Sequence, residues 1–293
     1  MGMLSALLGS LIRQTPVHLL DKWDPQRVLG LMLEERIGVN GGAPYFFTSL
    51  LEHPNFTPDH LRYMPAAGLG GAPVPAPFTR RLDAMGIAVM RCYGSTEHPT
   101  VTGCAFQAPA DKRLTTDGHA LTGAEFKLGE HDEILSRGAD LFVGYTDAEL
   151  TAEVFDDDGW YRTGDVGCID ADGYLTITDR ISDIIIRGGE NISAKEVEEV
   201  LMTIPNIAEV AVVGVTDERL GERPIAVLRT SGGDSAPDLE TVRRQLASAS
   251  LAKQKWPEAI RQVSEFPRTP SGKIQKFKLR MQLQAHDLDN EIC

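Results

Sequence analysis

The chain has 293 residues, of which 42% are hydrophobic and 24% charged, and its formal net charge is -13. This length predicts two domains with enough apolar material for buried cores, and the composition excludes disorder and collagen-like structure. The acidic balance, with no strong basic patch, argues against sequence-independent binding of nucleic acid, so no such partner is expected.

The four cysteines form no CxxC pair and no metal-binding spacing, which fits a reducing compartment such as the cytoplasm. They are Cys92, Cys104, Cys168 and Cys293. Residues 3–12 are apolar but too short to span a bilayer, and they lack the basic lead-in and cleavage site of a signal peptide. We expect a buried helical turn there, no membrane span, and a chain that was cut rather than started at this point.

Residues 14–92 alternate short apolar runs with helix signals. Strands are predicted at 17–20, 37–39, 63–67 and 87–92, and helices at the Asp24-Pro25 cap, at Thr57-Pro58 and over 75–85. Repeated strand-helix-strand units with apolar strands predict a parallel sheet that is covered on both faces.

From about residue 114 the pattern becomes mostly β, as at 133–136 and 173–178, with a helical segment over 150–155. After residue 180, Ser193 opens a capping box, strands are predicted at 209–215 and 224–229, and Leu239, Val242 and Leu246 mark a helix. An exposed loop is expected at 231–235. The predicted fold is therefore α/β, with a partial large domain over 1–179 that joins a parallel sheet to a β-rich subdomain, and a small α+β domain over 180–293.

A glycine-rich turn, Gly70-Gly71-Ala72-Pro73, follows a predicted strand and precedes a predicted helix. Glycines let backbone N–H groups approach a ligand closely near the positive end of a helix. It is not the dinucleotide fingerprint, because a count from Gly68 puts Pro73 at the last glycine position. Taken alone, the turn fits an ordinary tight turn better.

The segment Tyr93–Glu97 comes directly after the strand predicted to end at Cys92, where a parallel sheet places its ligand crevice. Tyr93 offers a ring face to a planar base, Thr96 a hydroxyl to a phosphate oxygen, and Glu97 a hard oxygen to Mg²⁺. The alternative is a polar turn with a half-buried tyrosine.

Two further polar segments, residues 161–165 and residues 179–191, lie near the start of the predicted last domain. Asp165 stands in a turn-rich stretch where its carboxylate can accept two hydrogen bonds from a ribose diol or serve as a turn residue. The stretch 179–191, which contains Arg180, stands at the domain change, and its Gly188 and Gly189 permit close approach by a narrow ligand arm. The alternative is an ordinary strand-to-helix loop.

Lys273 lies in Pro-Arg-Thr-Pro-Ser-Gly-Lys-Ile, residues 267–274. A P-loop assignment fails, because Pro267 takes its first glycine position and Ile274 its hydroxyl position. The prolines predict an exposed loop suited to deliver a point positive charge to a phosphate, although a lone loop lysine is more often solvated.

Together and in this order, the five motifs resemble those of the adenylate-forming, AMP-binding enzyme superfamily, over residues 14–280. The sequences of residues 93–98 and 188–193 most resemble those of bacterial CoA ligases for fatty, alicyclic or aromatic acids. The resemblance implies that a carboxylate attacks the α-phosphate of ATP to give an acyl-adenylate and pyrophosphate. A thiol, usually that of CoA, then takes the acyl group and releases AMP.

The resemblance also implies a role for each motif residue, with Lys273, Thr96 and Glu97 as the catalytic set. The nucleotide is implied to contact Gly71, Ala72 and Pro73 in the adenine pocket, the ring of Tyr93 by stacking, and Gly94 and Ser95 in the same loop. Thr96 is implied to bind the α-phosphate, Glu97 to hold Mg²⁺, Asp165 to bind the ribose hydroxyls, and Arg180 to reach ribose and phosphate oxygens. Gly188 and Gly189 are implied to border the CoA tunnel, and Lys273 to bridge the carboxylate and the α-phosphate. ATP or AMP, Mg²⁺ and CoA are the implied cofactors, a carboxylic acid the substrate, and a homodimer is compatible with the family. The small domain is implied to rotate about Ser182 between the two steps.

Three departures from the family pattern qualify these expectations. Ser182 stands where the family more often has Asp or Lys, and Leu220 where many CoA ligases carry Trp against the CoA nucleotide. No segment matches the Ser/Thr/Gly-rich phosphate loop that precedes these motifs. We therefore expect the latter part of such an enzyme, poorly active by itself.

Two alternatives stay open at this point. One is an adenylating enzyme that loads a carrier-protein thiol, and the other is a non-catalytic nucleotide-binding remnant. The acid is not specified by the motifs. The acyl pocket is expected near Tyr45, Phe46, Gly94 and His98, although a histidine before a proline is more often a turn residue.

Overall fold

The computed structural model describes residues 7–290, which form two compact units. The first unit takes in residues 7–74, 78–126 and 136–161, and the second takes in 75–77, 127–135 and 162–290. The described α-helices are α1 (Gly9–Arg13), α2 (Pro25–Glu34), α3 (Pro44–Leu51), α4 (Ala76–Ala84), α5 (Ala110–Thr115), α6 (Ala148–Val154), α7 (Ala194–Leu201), α8 (Leu239–Ser248) and α9 (Lys276–Asn290). No helix in this described part has the length and apolar character needed to cross a membrane.

The strands of the first unit build one mixed sheet in the order β1-β2-β3-β4-β5. Their bounds are β1 (Gly41–Gly42), β2 (Ala66–Leu69), β3 (Ala88–Tyr93), β4 (Thr102–Gly103) and β5 (His119–Ala120). Strands β1, β2 and β3 run parallel, whereas β4 and β5 are antiparallel additions. The predicted parallel sheet is thus confirmed for its first three strands, and β4 and β5 make the whole sheet mixed.

The core of the first unit lies between this sheet and its helices. Alternate residues of β3 point into it, because side chains of a strand face opposite ways in turn, and Val89 is fully buried. Helix α4 contributes Phe78 and Leu82, and α2 contributes Leu29 and Met32. These faces are apolar at helical spacing, which is why the sequence pattern located both helices.

A buried ion pair also lies in the first unit. The Arg91 guanidinium donates to both carboxylate oxygens of Asp117 at 3.0 and 2.9 Å, and the two side chains are only 2% and 5% exposed. This two-pronged geometry satisfies both buried charges at once. It fixes the strand that leads to Tyr93 against residue 117.

A second sheet has the order β6-β7-β8-β9, with bounds β6 (Ala124–Leu128), β7 (Glu133–Gly138), β8 (Tyr161–Ile169) and β9 (Leu175–Arg180). Strands β8 and β9 form an antiparallel pair in the second unit, and their register places Asp165 opposite Arg180. The β-rich character expected after residue 114 is confirmed.

The third sheet runs β11-β10-β13-β12, with β14 added parallel to β13. Its strands are β10 (Ile185–Arg187), β11 (Glu190–Ile192), β12 (Ile207–Asp217), β13 (Gly221–Thr230) and β14 (Ala259–Gln262). Val212 on one face joins the apolar cluster of α7 and α8, while Val213 on the other joins the cluster of α9. Because helices cover both faces, β12 is a nearly continuous apolar run, and the expected small α+β fold is confirmed.

Several local predictions are confirmed by hydrogen bonds. Asp24 caps α2 by accepting from the amide of Arg27, and Ser193 caps α7 by accepting from that of Glu196. The helix predicted from Thr57 forms as a 3-10 helix over Pro58–Tyr63. That helix displaces the next strand, β2, to start at Ala66 rather than at residue 63.

Other local predictions are wrong. Residues 17–20 and 37–39 form no strand, because a short apolar run fits a loop packed on a core as well as a strand. Ile37 and Val39 pack on the core of the first unit without strand pairing. In the segment 3–12, residues 3–6 lie outside the described residues, and the rest is helical in part but exposed rather than buried, as Ile12 shows with 83% exposure. Cys293 also lies outside the described residues.

Candidate functional site

Two of the five motifs lie side by side in the first unit, at the carboxyl ends of the parallel strands β2 and β3. The register pairs Leu69 with Arg91, so the glycine-rich turn starts beside the loop that begins at Tyr93. A Cβ on Gly70 would lie 2.6 Å from the carbonyl oxygen of Cys92, so only glycine allows this approach. The turn then continues through Gly71 in the left-handed region, with φ of +74°.

The loop after Tyr93 is a tight polar turn. The amide of Ser95 donates to the carbonyl of His98 at 2.8 Å, and the amide of His98 donates to Oγ of Ser95 at 3.1 Å. Gly94 has no room for a side chain, since a Cβ would lie 2.3 Å from the carbonyl oxygen of Pro99. Thr96 is exposed at the tip of this turn, so its hydroxyl is accessible to a ligand.

Glu97 is held in place on both its main chain and its side chain. Its carbonyl accepts from the amide of Phe142 at 2.7 Å, and its Oε1 accepts from the hydroxyl of Tyr145 at 3.0 Å. Among the side chains that the structure describes, no three His, Cys, Asp or Glu residues form a cluster that could hold a metal ion. A single oriented carboxylate fits Mg²⁺, which usually takes one or two protein oxygens together with nucleotide phosphates.

The imidazole of His98 is enclosed by protein. Its side chain is 1% exposed, its Nδ1 lies 2.9 Å from Oγ of Ser136, and its Nε2 lies 3.2 Å from Oδ1 of Asp140. Burial lowers the pKa of His98, and the neighbouring Asp140 opposes that shift without reversing it. The imidazole therefore connects the Tyr93 loop to β7 and to the residues after it. The expectation that His98 lines an acyl pocket is wrong here, because the side chain is enclosed by protein.

Tyr45 and Phe46, the other expected acyl-pocket residues, lie in the first turn of α3. Their rings contact each other edge to face at 5.6 Å, and Phe46 also contacts Trp23 at 4.7 Å. Both rings are half-buried, and the structure does not test their predicted role.

In the second unit, Asp165 and Arg180 face each other across β8 and β9. Nε of Arg180 lies 3.7 Å from Oδ1 of Asp165, and the two side chains are 47% and 18% exposed. Beside them, Gly164 has φ of +70° and donates its amide to the carboxylate of Glu133 at 3.1 Å. A loose, partly exposed pair such as this one retains polar atoms that can bind a ligand.

Lys273 joins this pair from the far end of the chain. It is half-buried, and burial lowers its pKa, followed by the positive charge of Arg180, while Asp165 and Asp183 oppose the shift. These influences require Lys273 to lie within electrostatic range of the pair. Lys273 follows Asp165 by 108 positions and Arg180 by 93 positions in the sequence, so only the fold brings it near them.

The hinge candidate Ser182 lies in a short 3-10 helix, Ile181–Asp183. The Arg280 guanidinium of α9 donates to the carbonyl of Ser182 at 3.0 Å and to Oδ1 of Asp183 at 2.8 Å. The predicted pivot and the residue after it are therefore both hydrogen-bonded to α9.

Gly188 and Gly189 form the turn between β10 and β11. Both have positive φ, +59° and +88°, which is the conformation of a tight two-residue hairpin turn. Leu220 packs on this turn, and its backbone carbonyl accepts a hydrogen bond from the amide of Gly188 at 2.7 Å. Next to it lies a surface cavity lined by Arg187, Arg243, Lys253, Trp256, Pro257 and Glu258.

Sequence reasoning missed the residues that support the motifs. Tyr145 and Asp140 lie more than forty positions from the loop they contact, and no local pattern links them to it. Arg268 belongs to the same motif as Lys273, and its guanidinium pairs with the carboxylate of Glu209 on β12. Glu209 precedes Arg268 by 59 positions and lies in a predicted strand, so no local pattern links the two residues.

Two family models match the sequence of this chain. Residues 1–146 match the family model described as AMP-binding enzyme, and residues 196–273 match that described as AMP-binding enzyme C-terminal domain. A medium-chain fatty-acid--CoA ligase of Escherichia coli is 37% identical over 94% of this chain and 50% of its own length. The chain spans about half the length of the curated relatives it matches.

Two solved structures show the same fold with nucleotides bound. MatB from Rhodopseudomonas palustris, bound to ATP, is 32% identical with a TM-score of 0.84, covering 97% of this chain and 58% of that one. The o-succinylbenzoate CoA synthetase MenE from Bacillus subtilis, in complex with the acyl-adenylate OSB-AMP, is 30% identical with a TM-score of 0.77. It covers 96% of this chain and 58% of that one.

Proposed function

Because the chain belongs to the AMP-binding enzyme family, we propose that it binds an acyl-adenylate and acts in the AMP-forming activation of a carboxylic acid and its transfer to the thiol of CoA. The observation that carries this proposal is the grouping of Lys273 with Asp165 and Arg180. A carboxylate, a guanidinium and an ammonium at one place match the hydroxyls and anionic oxygens of an adenylate.

In the first step, a carboxylate oxygen of the acid forms a bond to the α-phosphorus of ATP, and the bond from that phosphorus to pyrophosphate breaks. Negative charge concentrates around the phosphorus, so the positive charges of Lys273 and Arg180 stabilise it. Asp165 holds the ribose, and the exposed Thr96 donates its hydroxyl to a phosphate oxygen. The protein thereby supplies orientation and charge neutralisation.

Glu97 is the residue that would hold Mg²⁺, which neutralises phosphate charge when bound. Its orientation by Tyr145 leaves it beside Thr96 in the same turn. The glycine turn at Gly71, Ala72 and Pro73 and the ring of Tyr93 form the proposed adenine site, since they lie on adjacent strand ends.

CoA is the proposed acceptor because of the cavity beside the Gly188 turn. Arg243 and Lys253 line it, neither of them in an ion pair with a carboxylate whose side chain the structure describes, and Trp256 adds an aromatic face. Cations suit the phosphates of CoA, and an indole suits its adenine. Leu220 offers no aromatic face, which keeps a carrier-protein thiol as the second candidate.

The domain boundary at residues 179 and 180, with rotation about Ser182, belongs to this proposal. The cytoplasm is the compartment expected for a reaction that consumes ATP and CoA, and the described cysteines Cys92, Cys104 and Cys168 carry free thiols.

The test uses preformed acyl-adenylates, so that it examines the second step and the adenylate site directly. Octanoyl-AMP and 2-succinylbenzoyl-AMP are offered to the chain with CoA or with a holo carrier protein, and thioester is measured. We expect CoA thioester above the uncatalysed rate, and Asp165→Asn to lower adenylate affinity about tenfold or more, since a charged hydrogen bond to ribose is lost. Carrier-protein thioester alone would favour the second candidate, and no adenylate binding would contradict the proposal.

A further inference from the structure

Lys273 lies in a hairpin of residues 268–274, closed by an antiparallel bridge between Arg268 and Ile274, which has a rigid local shape. The amide of Thr269 donates to the carbonyl of Lys273 at 2.9 Å, and the amide of Gly272 donates to the carbonyl of Thr269 at 2.9 Å. Gly272 has φ of +83°, so the turn requires glycine. These bonds define the shape of the hairpin, but they do not determine where it lies relative to Asp165 and Arg180.

An ion pair to β12 anchors the hairpin before Lys273. The Arg268 guanidinium pairs with Oε1 of Glu209, and its Nη1 donates to the carbonyl of Gly272 at 2.9 Å. The side chains of Arg268 and Glu209 are 10% and 15% exposed. Oε2 of Glu209 accepts from Nε of Arg229 on β13 at 2.5 Å, so the carboxylate is itself fixed to the sheet.

A second ion pair anchors the chain after Lys273. Nζ of Lys276 lies 2.8 Å from Oε1 of Glu198 on α7, and that oxygen also accepts from the amide of Val212 on β12 at 2.7 Å. Burial lowers the pKa of Lys276, but Glu198 and Asp183 outweigh it and raise the pKa above its ordinary value. Its carboxylate partners therefore favour the charged form of Lys276.

Both anchors end on β12, one through Glu209 and the other through the amide of Val212. Lys273 lies between them in the sequence, five residues after Arg268 and three before Lys276. A guanidinium can bind a carboxylate and a carbonyl at once because its donors form a planar fork. The two ion pairs thus attach the chain on either side of Lys273 to β12.

We propose that Glu209 is a positioning residue that acts through Arg268 to place Lys273 beside Asp165 and Arg180, with the pair of Glu198 and Lys276 as the second anchor. Its catalytic consequence rests on the proposed function, whereas the placement itself does not. Without the anchor, the hairpin keeps its shape but moves away from Arg180 and into water.

The test measures the pH dependence of acetylation of each lysine by an N-hydroxysuccinimide ester, read by peptide mass spectrometry on the full chain. Only the neutral amine reacts, so the midpoint of labelling reports the pKa of that lysine. We expect the midpoint of Lys273 to lie below that of the exposed Lys22 in the same sample, because burial and Arg180 disfavour its charge. In Glu209→Gln the midpoint of Lys273 should rise towards that of Lys22.

Two further variants make the result specific. Glu125→Gln removes the carboxylate of an exposed pair with Arg137 and should leave the Lys273 midpoint unchanged. Arg268→Lys keeps the charge but loses the fork, so it should raise the midpoint, and it replaces Glu209→Gln if circular dichroism shows that variant unfolded. An unchanged or lowered Lys273 midpoint in a folded anchor variant would overturn the proposal.

The same assay separates this proposal from the proposed function. A non-hydrolysable octanoyl-adenylate analogue should slow labelling of Lys273 if that lysine contacts the adenylate. If the analogue does not slow the labelling of Lys273 but Glu209→Gln still raises its midpoint, the result contradicts only the catalytic role of Lys273. If the analogue slows the labelling but Glu209→Gln leaves the midpoint unchanged, the result contradicts only the positioning role of Glu209.

Discussion

At the scale of single residues, His98 is a buried titratable group in the loop that carries Thr96 and Glu97. Burial lowers its pKa below the ordinary value of 6.5. The unfolded chain, whose histidine keeps the ordinary pKa, therefore takes up the proton at a higher pH than the folded chain does. The stabilisation from neutral His98 is present above pH 6.5 and is lost as the pH falls through 6.5 and then through the folded pKa.

We therefore predict that His98→Gln reduces the acid sensitivity of the chain. The amide can still bond to Ser136 and Asp140, but it does not titrate. The free energy of unfolding of the original chain should fall relative to that of the variant between pH 7.5 and pH 5, measured by urea denaturation. A constant difference over that range would contradict the role assigned to the imidazole, and His119→Gln serves as the exposed histidine control.

At the scale of elements, the adenine site depends on how closely the ends of β2 and β3 approach each other. Sequence pattern found both strands and both loops, because buried strands and glycine turns have strong local signals. It did not find the strand order, nor the short contact between Gly70 and Cys92. Register is set by pairing between distant segments, which a local pattern does not encode.

The close approach predicts different costs for two neighbouring glycines. Gly70→Ala places a Cβ 2.6 Å from the Cys92 carbonyl oxygen, so β2 or β3 must shift, at a cost of about 1–3 kcal/mol. Gly71→Ala meets no atom within 4 Å and costs only the strain of positive φ, about 1 kcal/mol. Urea midpoints should rank the two variants in this order, and the reverse order would show that the strand ends are not in contact.

At the scale of the whole molecule, the two units each have their own apolar core. The two clusters on either side of β12 draw all their buried residues from positions between 185 and 283. The sequence indicated this small α+β domain from its capping box and apolar strands. It did not indicate that β8 and β9, which precede the predicted hinge, group with it in one compact unit.

We predict that residues 184–293 fold as an isolated fragment, because both faces of their sheet are covered by helices from the same segment. The fragment should show dispersed amide resonances and one cooperative thermal transition by circular dichroism. Val212→Asp and Val213→Asp, which place a charge in the two different clusters, should each abolish that transition. A fragment without cooperative unfolding would mean that these clusters need residues before 184.

The sequence by itself determined the family, the motif residues, and the helices and strands with strong periodicity, because caps, glycine turns and apolar spacing act over a few neighbouring residues. Only the tertiary structure decided which motifs lie together and what holds them. Lys273 gains its electrostatic surroundings from Asp165 and Arg180, and Arg268 gains its partner Glu209, across 59 or more positions of the sequence. Burial and the pairing of distant charges are properties of the packed chain, and no local pattern contains them.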